Sequence, residues 1–365
     1  MTKPELTKEI AYKALQNFFN QKPFVLFGTG ISCAVDQDFG MGTLEHYLKA
    51  EIPKRTLTKQ QKIEWKNVLE ALSRNSDFEA AMNGIKDKSL LKFVIETTAE
   101  QVSIVNRKNT FEILNREKSW PATSMFKRLV DRLPETDRTL HVATPNYDLL
   151  AEYAFAQAAI CYTTGFWGGI VRKLDWIQAE RQMTYAEKVP SGRSKVTSIT
   201  RLKKHIRLYK VHGSLNTFFF EDQLVETDAW TKAPENVERL MITPGTSKHE
   251  KLHDYRGALL GEYDKAVRGH SAFLFLGFGF NDTQLVNNAI SEKLKQNASP
   301  ALIITRSSNS RIESLLKDCK NTWLVCKHPE NNSTRIFNKK YQDWLNLPDK
   351  ELWKFDRFTT EIMGG

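Results

Sequence analysis

The chain has 365 residues, of which 41% are hydrophobic and 26% are charged. These are ordinary values for a globular protein and give no indication of disorder. There are 53 Lys and Arg residues against 43 Asp and Glu residues, a formal net charge of +10, which favours an anionic ligand or polyanionic partner without identifying either. With no run of about twenty apolar residues and a charged N-terminus that is atypical of a signal peptide, we expect a soluble, cytoplasmic protein with no membrane partner.

The four cysteines are isolated along the chain. They are Cys33, Cys161, Cys319 and Cys326, and no two of them form a CxxC pair. A tetrathiolate zinc site therefore has no support in the sequence, and we expect a reduced protein without a metal site.

The predicted elements begin with a helix within residues 5–20, followed by the apolar strand Phe24–Phe27 and a glycine-spaced turn. Thr43 is positioned to cap the next helix, over 44–50. Residues 58–120 are rich in Lys, Glu and Asn, and their apolar residues recur every three or four positions. We interpret this stretch as a helical insertion beside a sheet.

Helices and strands then alternate. Strands are predicted at the apolar runs 140–144, 206–211, 240–243, 272–276, 301–305 and 323–326, with a short hairpin formed by 218–220 and 223–225. Helices are predicted at 124–133, 149–159, 255–268, 283–296 and 311–318. This alternation predicts an α/β protein of a single domain over 1–365, with a Rossmann-like, mostly parallel sheet and helices on both faces.

Two segments fall outside this alternation. Residues 165–207 have few strand signals, and a dense basic stretch runs through Arg193, Lys195, Arg201, Lys203, Lys204, Arg207 and Lys210. A solvent-exposed arm is favoured here over a nucleic-acid site, because aromatic residues are too few to form a stacking platform. The C-terminal segment 341–365 is too aromatic for a free tail, and we expect it to pack either on the sheet or on another subunit.

The turn after the first strand has two interpretations. Gly28 and Gly30 permit positive φ and a close approach to a ligand, and the helix that follows would present free N–H groups to an anion. A plain strand-to-helix turn explains the same residues. The dinucleotide fingerprint is incomplete, because its third glycine position holds Cys33.

Polar residues follow several of the predicted strands. They are Ser32, Asn146, Asp148, His212, Asn281, Asp282 and Thr305. Alone, Asn146 or Asp148 is more often a helix cap and His212 a hydrogen-bonded turn residue. Because ligands of open parallel sheets bind at the carboxyl ends of the strands, the joint pattern predicts a ligand site there.

The ordered motifs resemble those of the sirtuin-like superfamily. Residues 28–32, Gly-Thr-Gly-Ile-Ser, are similar to its Gly-Ala-Gly-Ile-Ser loop, and residues 144–148, Thr-Pro-Asn-Tyr-Asp, to its Thr-Gln-Asn-Ile-Asp segment. His212-Gly213 resembles its catalytic His-Gly, and 277–282 occupies the place of its late Gly-Thr-Ser loop. The resemblance covers roughly 20–50 and 120–330.

The departures from this family pattern indicate which group of sirtuin-like proteins the chain resembles more. The two CxxC pairs that follow the His-Gly in protein-deacetylating sirtuins are absent, Pro145 replaces the usual Gln, and Gly40 stands where deacetylases have an arginine after Asp38-Phe39. The chain is more similar to bacterial antiphage sirtuin-like effectors, which lack zinc, carry a helical insertion and cleave NAD. The resemblance thus implies an NAD+ glycohydrolase with NAD as substrate and no zinc.

The resemblance also implies roles for individual residues. Gly28, Thr29, Gly30 and Ser32 would hold the diphosphate, Asn146 would orient water or the ribose hydroxyls, His212 would be the general base, Asp148 would contact the nicotinamide amide, and Gly277, Gly279, Asn281 and Thr305 would line the adenosine side. Breaking the nicotinamide–ribose bond passes through an oxocarbenium-like transition state and needs no strong acid, because the leaving group departs neutral.

Similar effectors form homo-oligomers and assemble with a HerA-like hexameric ATPase, so both are expected partners. The helical insertion and the basic arm are the expected assembly surfaces, and nucleic acid is a candidate partner through the ATPase or the arm. Two alternatives remain open: an NAD-dependent protein deacylase, and a non-catalytic subunit that binds NAD or ADP-ribose.

Overall fold

The structure is a computed structural model and describes residues 3–74, 81–82, 84–191, 196–241, 257–282, 285–286 and 288–364. Its helices are α1 Lys8–Phe18, α2 Thr29–Val35, α3 Met41–Glu51, α4 Lys59–Ser73, α5 Lys88–Leu114, α6 Thr123–Asp131, α7 Leu150–Gln157, α8 Trp176–Arg181, α9 Gly261–Gly269, α10 Asn288–Lys295, α11 Ser310–Asp318 and α12 Phe355–Ile362. Short 3-10 helices occur at Gln37–Phe39 and Ile52–Lys54.

The strands belong to three sheets. They are β1 Phe24–Phe27, β2 Thr139–Thr144, β3 Tyr162–Thr163, β4 Phe166–Gly168, β5 Arg172–Leu174, β6 Thr184–Pro190, β7 Val196–Leu202, β8 His205–Lys210, β9 Gly213–Phe220, β10 Gln223–Glu226, β11 Glu238–Met241, β12 Phe273–Leu276, β13 Ala301–Thr305, β14 Thr322–Lys327, β15 Thr334–Asn338 and β16 Leu345–Leu347.

The large sheet has the order β16-β15-β14-β13-β12-β1-β2-β8-β3. The strands from β14 to β3 in this order are parallel, and β15 and β16 add antiparallel pairs at one edge. The chain runs outward from β1 to β2 and β8 on one side and later returns to β12 on the other. The strand order therefore reverses between β1 and β12, the kind of switch point where open α/β sheets bind ligands.

Alternate residues of the strands face two separate apolar cores. In β1, Val25 and Phe27 belong to one core with α1, α6, α7 and α12. Phe24 and Leu26 belong to the other, with α9, α10 and α11. Because side chains of a strand alternate between its faces, a strand buried on both sides reads as a continuous apolar run. The predicted mostly parallel α/β sheet with helices on both faces is confirmed.

Helices α4 and α5 occupy the segment predicted to be a helical insertion. Thr58 forms a capping box with Gln61 at the start of α4, and Asp87 caps α5 by accepting from the Leu90 N–H at 2.8 Å. The first half of α5 packs with α3 and α4 in a small core of its own. The second half, with Val105 and Ile113, packs into the main core, so α5 joins this segment directly to the sheet.

The segment 165–207 contains more strand than the sequence analysis predicts. Strands β6 and β7 form a two-stranded antiparallel hairpin, and β4 and β5 join a five-stranded sheet of order β11-β9-β10-β5-β4. The residues of the hairpin are mostly exposed. They therefore lack the buried alternation that identifies a strand in a sequence.

The basic stretch is also less exposed than predicted. Arg201 pairs with Glu187, Lys204 with Glu135, Arg207 with Glu180 and Glu262, and the buried Lys210 with Glu152. These pairs reduce the free positive charge of the segment. Arg193 and Lys195 lie outside the described residues.

Several predicted boundaries shift. Thr43 does not cap its helix, because α3 begins three residues earlier than predicted, with Gly40 at the N-cap. The predicted hairpin is confirmed as β9 and β10, and its turn residues Glu221 and Asp222 have positive φ. Parts of the predicted strand 240–243 and of the predicted helices 255–268 and 283–296 lie outside the described residues.

The C-terminal segment packs on the core of its own chain. Leu352, Phe355 and Phe358 are buried in the core that also contains α1 and α6. One of the two expected environments of this segment, packing against the sheet domain, is thus present.

Candidate functional site

The predicted site residues meet at the carboxyl edge of five parallel strands, because the register of the sheet aligns the strand ends. Thr144 of β2 pairs with Lys210 of β8, so Asn146 and His212 each lie two residues beyond a matched pair. Phe27 pairs with Leu276 of β12, which in turn pairs with Ile304 of β13. This alignment sets Gly28, Gly277 and Thr305 at one level across the switch point.

The two glycine turns touch backbone to backbone. The Gly30 N–H donates to the Gly277 carbonyl at 3.0 Å, and a Cβ on Gly30 would lie 2.7 Å from that oxygen. Gly277 itself has a φ of +54°. Neither Gly28 nor Gly30 has positive φ, so the predicted conformational reason for these glycines is wrong. They are required because a side chain would separate the two turns.

Most of the N–H groups at this turn that were predicted to face an anion already donate to backbone carbonyls. Besides Gly30, the Gly28 N–H donates to the Leu276 carbonyl at 3.0 Å and the Ile31 N–H to the Gly28 carbonyl at 3.1 Å. Of the N–H groups predicted to face an anion at this turn, that of Thr29, the first residue of α2, is therefore still without a carbonyl partner within the described ranges.

A cleft of about 570 Å³ opens over these strand ends. Among the predicted site residues it is lined by Gly28, Thr29, Gly30, Asn146, Asp148, His212, Gly277, Gly279, Asn281 and Thr305. Ser32 is the exception, because it lies behind the cleft with 1% of its surface exposed. The volume is within the range of small-molecule and cofactor pockets, roughly 300–1,000 Å³.

Ser32 connects the two polar residues that follow β2. The Asn146 Nδ2 donates to Ser32 Oγ at 3.0 Å, and Ser32 Oγ donates to Asp148 Oδ2 at 2.8 Å. The other Asp148 oxygen accepts from the N–H of Leu150, the first residue of α7, at 3.2 Å, although the N-cap position itself is Leu149. The chain of bonds fixes the orientation of both side chains toward the cleft.

A buried ion pair supports the same loop from below. The Lys210 Nζ donates to the Asp148 carbonyl at 2.6 Å and lies 2.8 Å from Glu152 Oε1. The side chains of Lys210 and Glu152 are 5% and 10% exposed. Burial raises the pKa of Glu152, and the attraction of Lys210 opposes that rise. Lys210 thus joins the end of β8 to the loop that carries Asn146 and Asp148.

His212 lies where the chain leaves the large sheet and enters the five-stranded one. Its Nε2 is 2.9 Å from Asp282 Oδ2, although the alignment does not make a hydrogen bond. Both side chains are largely buried, and both residues line the cleft. The following Gly213 has a φ of +70°, and a Cβ there would be 2.0 Å from the Leu240 carbonyl oxygen. A side chain at this position would collide with the backbone of β11, so the turn that follows His212 requires glycine.

The opposite end of the cleft is built from the turns after β12 and β13. Asn309 caps α11 and donates from its Nδ2 to the Gly279 carbonyl at 2.9 Å. Arg311 donates to the Asn281 carbonyl at 2.6 Å. These bonds tie the two turns together, while the side chain of Asn281 is exposed at the cleft mouth.

The apolar wall of the cleft was not predicted from the sequence. It comes from the helices that precede β2 and consists of Phe39, Met41, Leu44, Met82, Val94 and Val102, with Thr98 and Gln101 beside them. In α5 the lining residues recur at 94, 98, 101 and 102, a spacing that places them on one helix face. This periodicity can be read from the sequence, but no neighbouring residue indicates that this helix face lines a ligand site. The sequence also gave no indication that Asp282 lies beside His212 or that Lys210 binds the Asp148 carbonyl and Glu152.

Within the described ranges, no group of three or more His, Cys, Asp and Glu side chains is close enough to hold a metal ion. Also within those ranges, no helix has the length and apolar character needed to cross a membrane.

Comparison with known families agrees with the arrangement of the site. The sequence model of the SIR2-like domain matches residues 140–324, from β2 to β14, which includes Asn146, Asp148 and His212. No curated protein gives a significant match. Because the family match covers just over half of the chain, the chain belongs to the SIR2-like family, whose domains use NAD. The match contains the residues after β2, β8, β12 and β13, while the glycine turn at 28–32 lies outside it.

Proposed function

We propose that this protein is an NAD+ glycohydrolase that splits NAD into nicotinamide and ADP-ribose. The observation that carries the proposal is the convergence of Asn146, Asp148 and His212 on one cleft beside the paired glycine turns. The SIR2-like family match supports the use of NAD. The choice of hydrolysis over deacylation rests on the absence of the two CxxC pairs after His212-Gly213.

NAD would lie across the switch point of the sheet. Its diphosphate would bind at the start of α2, where Thr29 lines the cleft and its N–H has no carbonyl partner among the described residues. The adenosine would extend toward Gly279, Asn281 and Thr305. The nicotinamide ribose would point the other way, toward Asn146 and His212.

Hydrolysis needs a positioned water, a group that takes its proton, and stabilisation of an oxocarbenium-like ribose. The Asn146 amide is held by Ser32 and Thr29 and would orient the water or the ribose hydroxyls. His212 would take the proton, and the nearby Asp282 carboxylate would stabilise the imidazolium that forms. The anchored Asp148 would receive the nicotinamide amide.

The biological role proposed is depletion of NAD as the effector of a bacterial antiphage defence system. Such an activity must be restrained until infection, so we propose regulation through a homo-oligomer and a HerA-like hexameric ATPase. The exposed β6–β7 hairpin and α4 are the candidate contact surfaces. Nucleic acid would reach the assembly through the ATPase or the basic segment.

The test is chromatography of nicotinamide and ADP-ribose after the full chain, with and without the ATPase, is incubated with NAD. His212→Ala and Asn146→Ala should each lower the rate about 10²–10⁴-fold, the usual effect of removing a positioned acid–base group. His46→Ala, at an exposed position on α3, should leave the rate unchanged. NAD consumption that persists in both site variants would contradict the assignment.

The same experiment separates the alternatives. Release of acetyl-ADP-ribose from an acetylated peptide would identify a deacylase. Tight NAD binding without turnover, with and without the ATPase, would identify a binding subunit.

A further inference from the structure

A second pocket, of about 480 Å³, lies between α5, α7 and the five-stranded sheet, separate from the NAD cleft. We call it the rear pocket. Its lining combines three kinds of group. Ser103 and Thr110 of α5 supply hydroxyls, Arg107 and Arg239 supply guanidinium groups, and Tyr153 and Trp230 supply aromatic rings.

The charge of the rear pocket favours an anion. Arg239 is 2% exposed, and its two terminal guanidinium nitrogens donate to the Leu215 and Thr231 carbonyls. Its Nε has no hydrogen-bond partner and lies 3.9 Å from the Glu96 carboxylate, so Arg239 adds positive charge to the lining while its position is fixed by the backbone. Arg107 is exposed at the pocket and has no ion-pair partner among the residues that the structure describes. The one acidic residue in the lining, Asp228, is occupied by Arg172 at 3.1 Å and by Asn216 at 2.8 Å.

The rear pocket shares its walls with the NAD cleft. Helix α5 lines the cleft through Thr98 and Val102 and the rear pocket through Ser103 and Arg107. The segment after β2 lines the cleft through Asp148 and the rear pocket through the next residue, Leu149.

Hydrogen bonds link these shared walls. The Leu149 N–H donates to Asn106 Oδ1 at 2.9 Å, and the Leu215 N–H donates to the Tyr147 carbonyl at 3.0 Å. A ligand in the rear pocket would therefore contact the back of the two segments that carry Asn146 and His212.

We propose that the rear pocket binds a nucleoside monophosphate. The guanidinium of Arg107 receives the phosphate, the α5 hydroxyls face the sugar, and Trp230 and Tyr153 contact the base. Binding fixes the segments on either side of the rear pocket and so changes the activity of the NAD cleft. The binding step stands independently, whereas its effect on catalysis rests on the proposed NAD cleavage.

The experiment is calorimetric titration of the full chain with AMP, GMP, CMP and UMP, with inorganic phosphate as the probe for a bare anion. At least one nucleotide should bind one-to-one and more tightly than phosphate. Arg107→Gln should weaken that binding about tenfold or more, the loss expected for a charge-assisted hydrogen bond. Because Arg107 is exposed and unpaired among the described residues, this variant should fold normally.

A matched pair of bulky variants locates the nucleotide. Ser103→Trp fills the rear pocket and should abolish binding, whereas Asn281→Trp fills the mouth of the NAD cleft and should not. If none of the four nucleotides binds, or if Asn281→Trp abolishes binding and Ser103→Trp does not, the rear-pocket site is wrong.

The nucleotide that binds is then added to the NAD cleavage assay. The cleavage rate should change in the wild type and stay constant in Ser103→Trp; a wild-type rate that does not respond would overturn the coupling. Cleavage without added nucleotide tests the proposed function separately.

Discussion

Lys210→Met should destabilise the protein strongly, although it replaces one long side chain by another. The change removes the ammonium group that faces Glu152 at 2.8 Å and the Asp148 carbonyl at 2.6 Å. Glu152 then remains as an unpaired carboxyl, 10% exposed. Removing one partner of a buried ion pair costs about 3–5 kcal/mol, because the other charge stays desolvated.

The double variant Lys210→Met, Glu152→Leu should recover most of this loss. With both charges gone, only the donor to the Asp148 carbonyl is missing, at a cost of about 1–3 kcal/mol. The single variant should also be less destabilised at pH 5 than at pH 8. Burial raises the pKa of Glu152, so its folded state without Lys210 takes up a proton as the pH falls, which removes the unpaired charge.

Urea unfolding followed by circular dichroism, at fixed protein concentration, measures these differences. Lys203→Met is the matched control, because Lys203 is a nearby exposed lysine and should shift the free energy of unfolding by less than about 0.5 kcal/mol. Unfolding of Lys210→Met at the same urea concentration as Lys203→Met would contradict the expected cost of breaking the buried ion pair. A double variant no more stable than the single one would contradict it as well.

Two further predictions concern the glycine contact and a second buried carboxyl. Gly30→Ala places a Cβ 2.7 Å from the Gly277 carbonyl oxygen, so it should lower stability by about 1–3 kcal/mol and abolish NAD cleavage, whereas Gly42→Ala, with open space around it, should do neither. Burial raises the pKa of Glu226 to about 7, so the folded state holds its proton more tightly and stability should fall by about 3 kcal/mol as the pH rises from about 4.5 to 7. Urea midpoints across this range should show a flatter profile for Glu226→Gln; an identical profile would contradict the assignment.

Much of the site could be predicted from the sequence, because in a parallel sheet the residues that follow each strand lie along the same edge. An apolar run such as Phe24–Phe27 identifies a strand buried on both faces, and the residue after it lies at the carboxyl edge. Applied to the later strands, this rule predicts that Asn146, His212 and Thr305 lie at one edge of the sheet. The structure places them there, around the same cleft.

The sequence could not predict how groups pack across elements. The reason for Gly30 is the Gly277 backbone, which lies nearly 250 positions away along the chain and meets Gly30 only when β1 pairs with β12. The basic stretch suggested a solvated arm, yet its Lys210 is buried, because the register of β8 sets it beneath the Asp148 loop. An exposed hairpin such as β6–β7 leaves no periodic signal at all.

Local patterns of apolar, glycine and polar residues were enough to predict the succession of strands along the chain, the polar strand ends and the likeness to sirtuins. The position of Ser32 behind the cleft, the approach of Asp282 to His212, and the place of α5 as a wall of both the cleft and the rear pocket are visible in the folded molecule alone. Those relations depend on which helix face meets which strand end, and that is fixed by packing over long sequence separations.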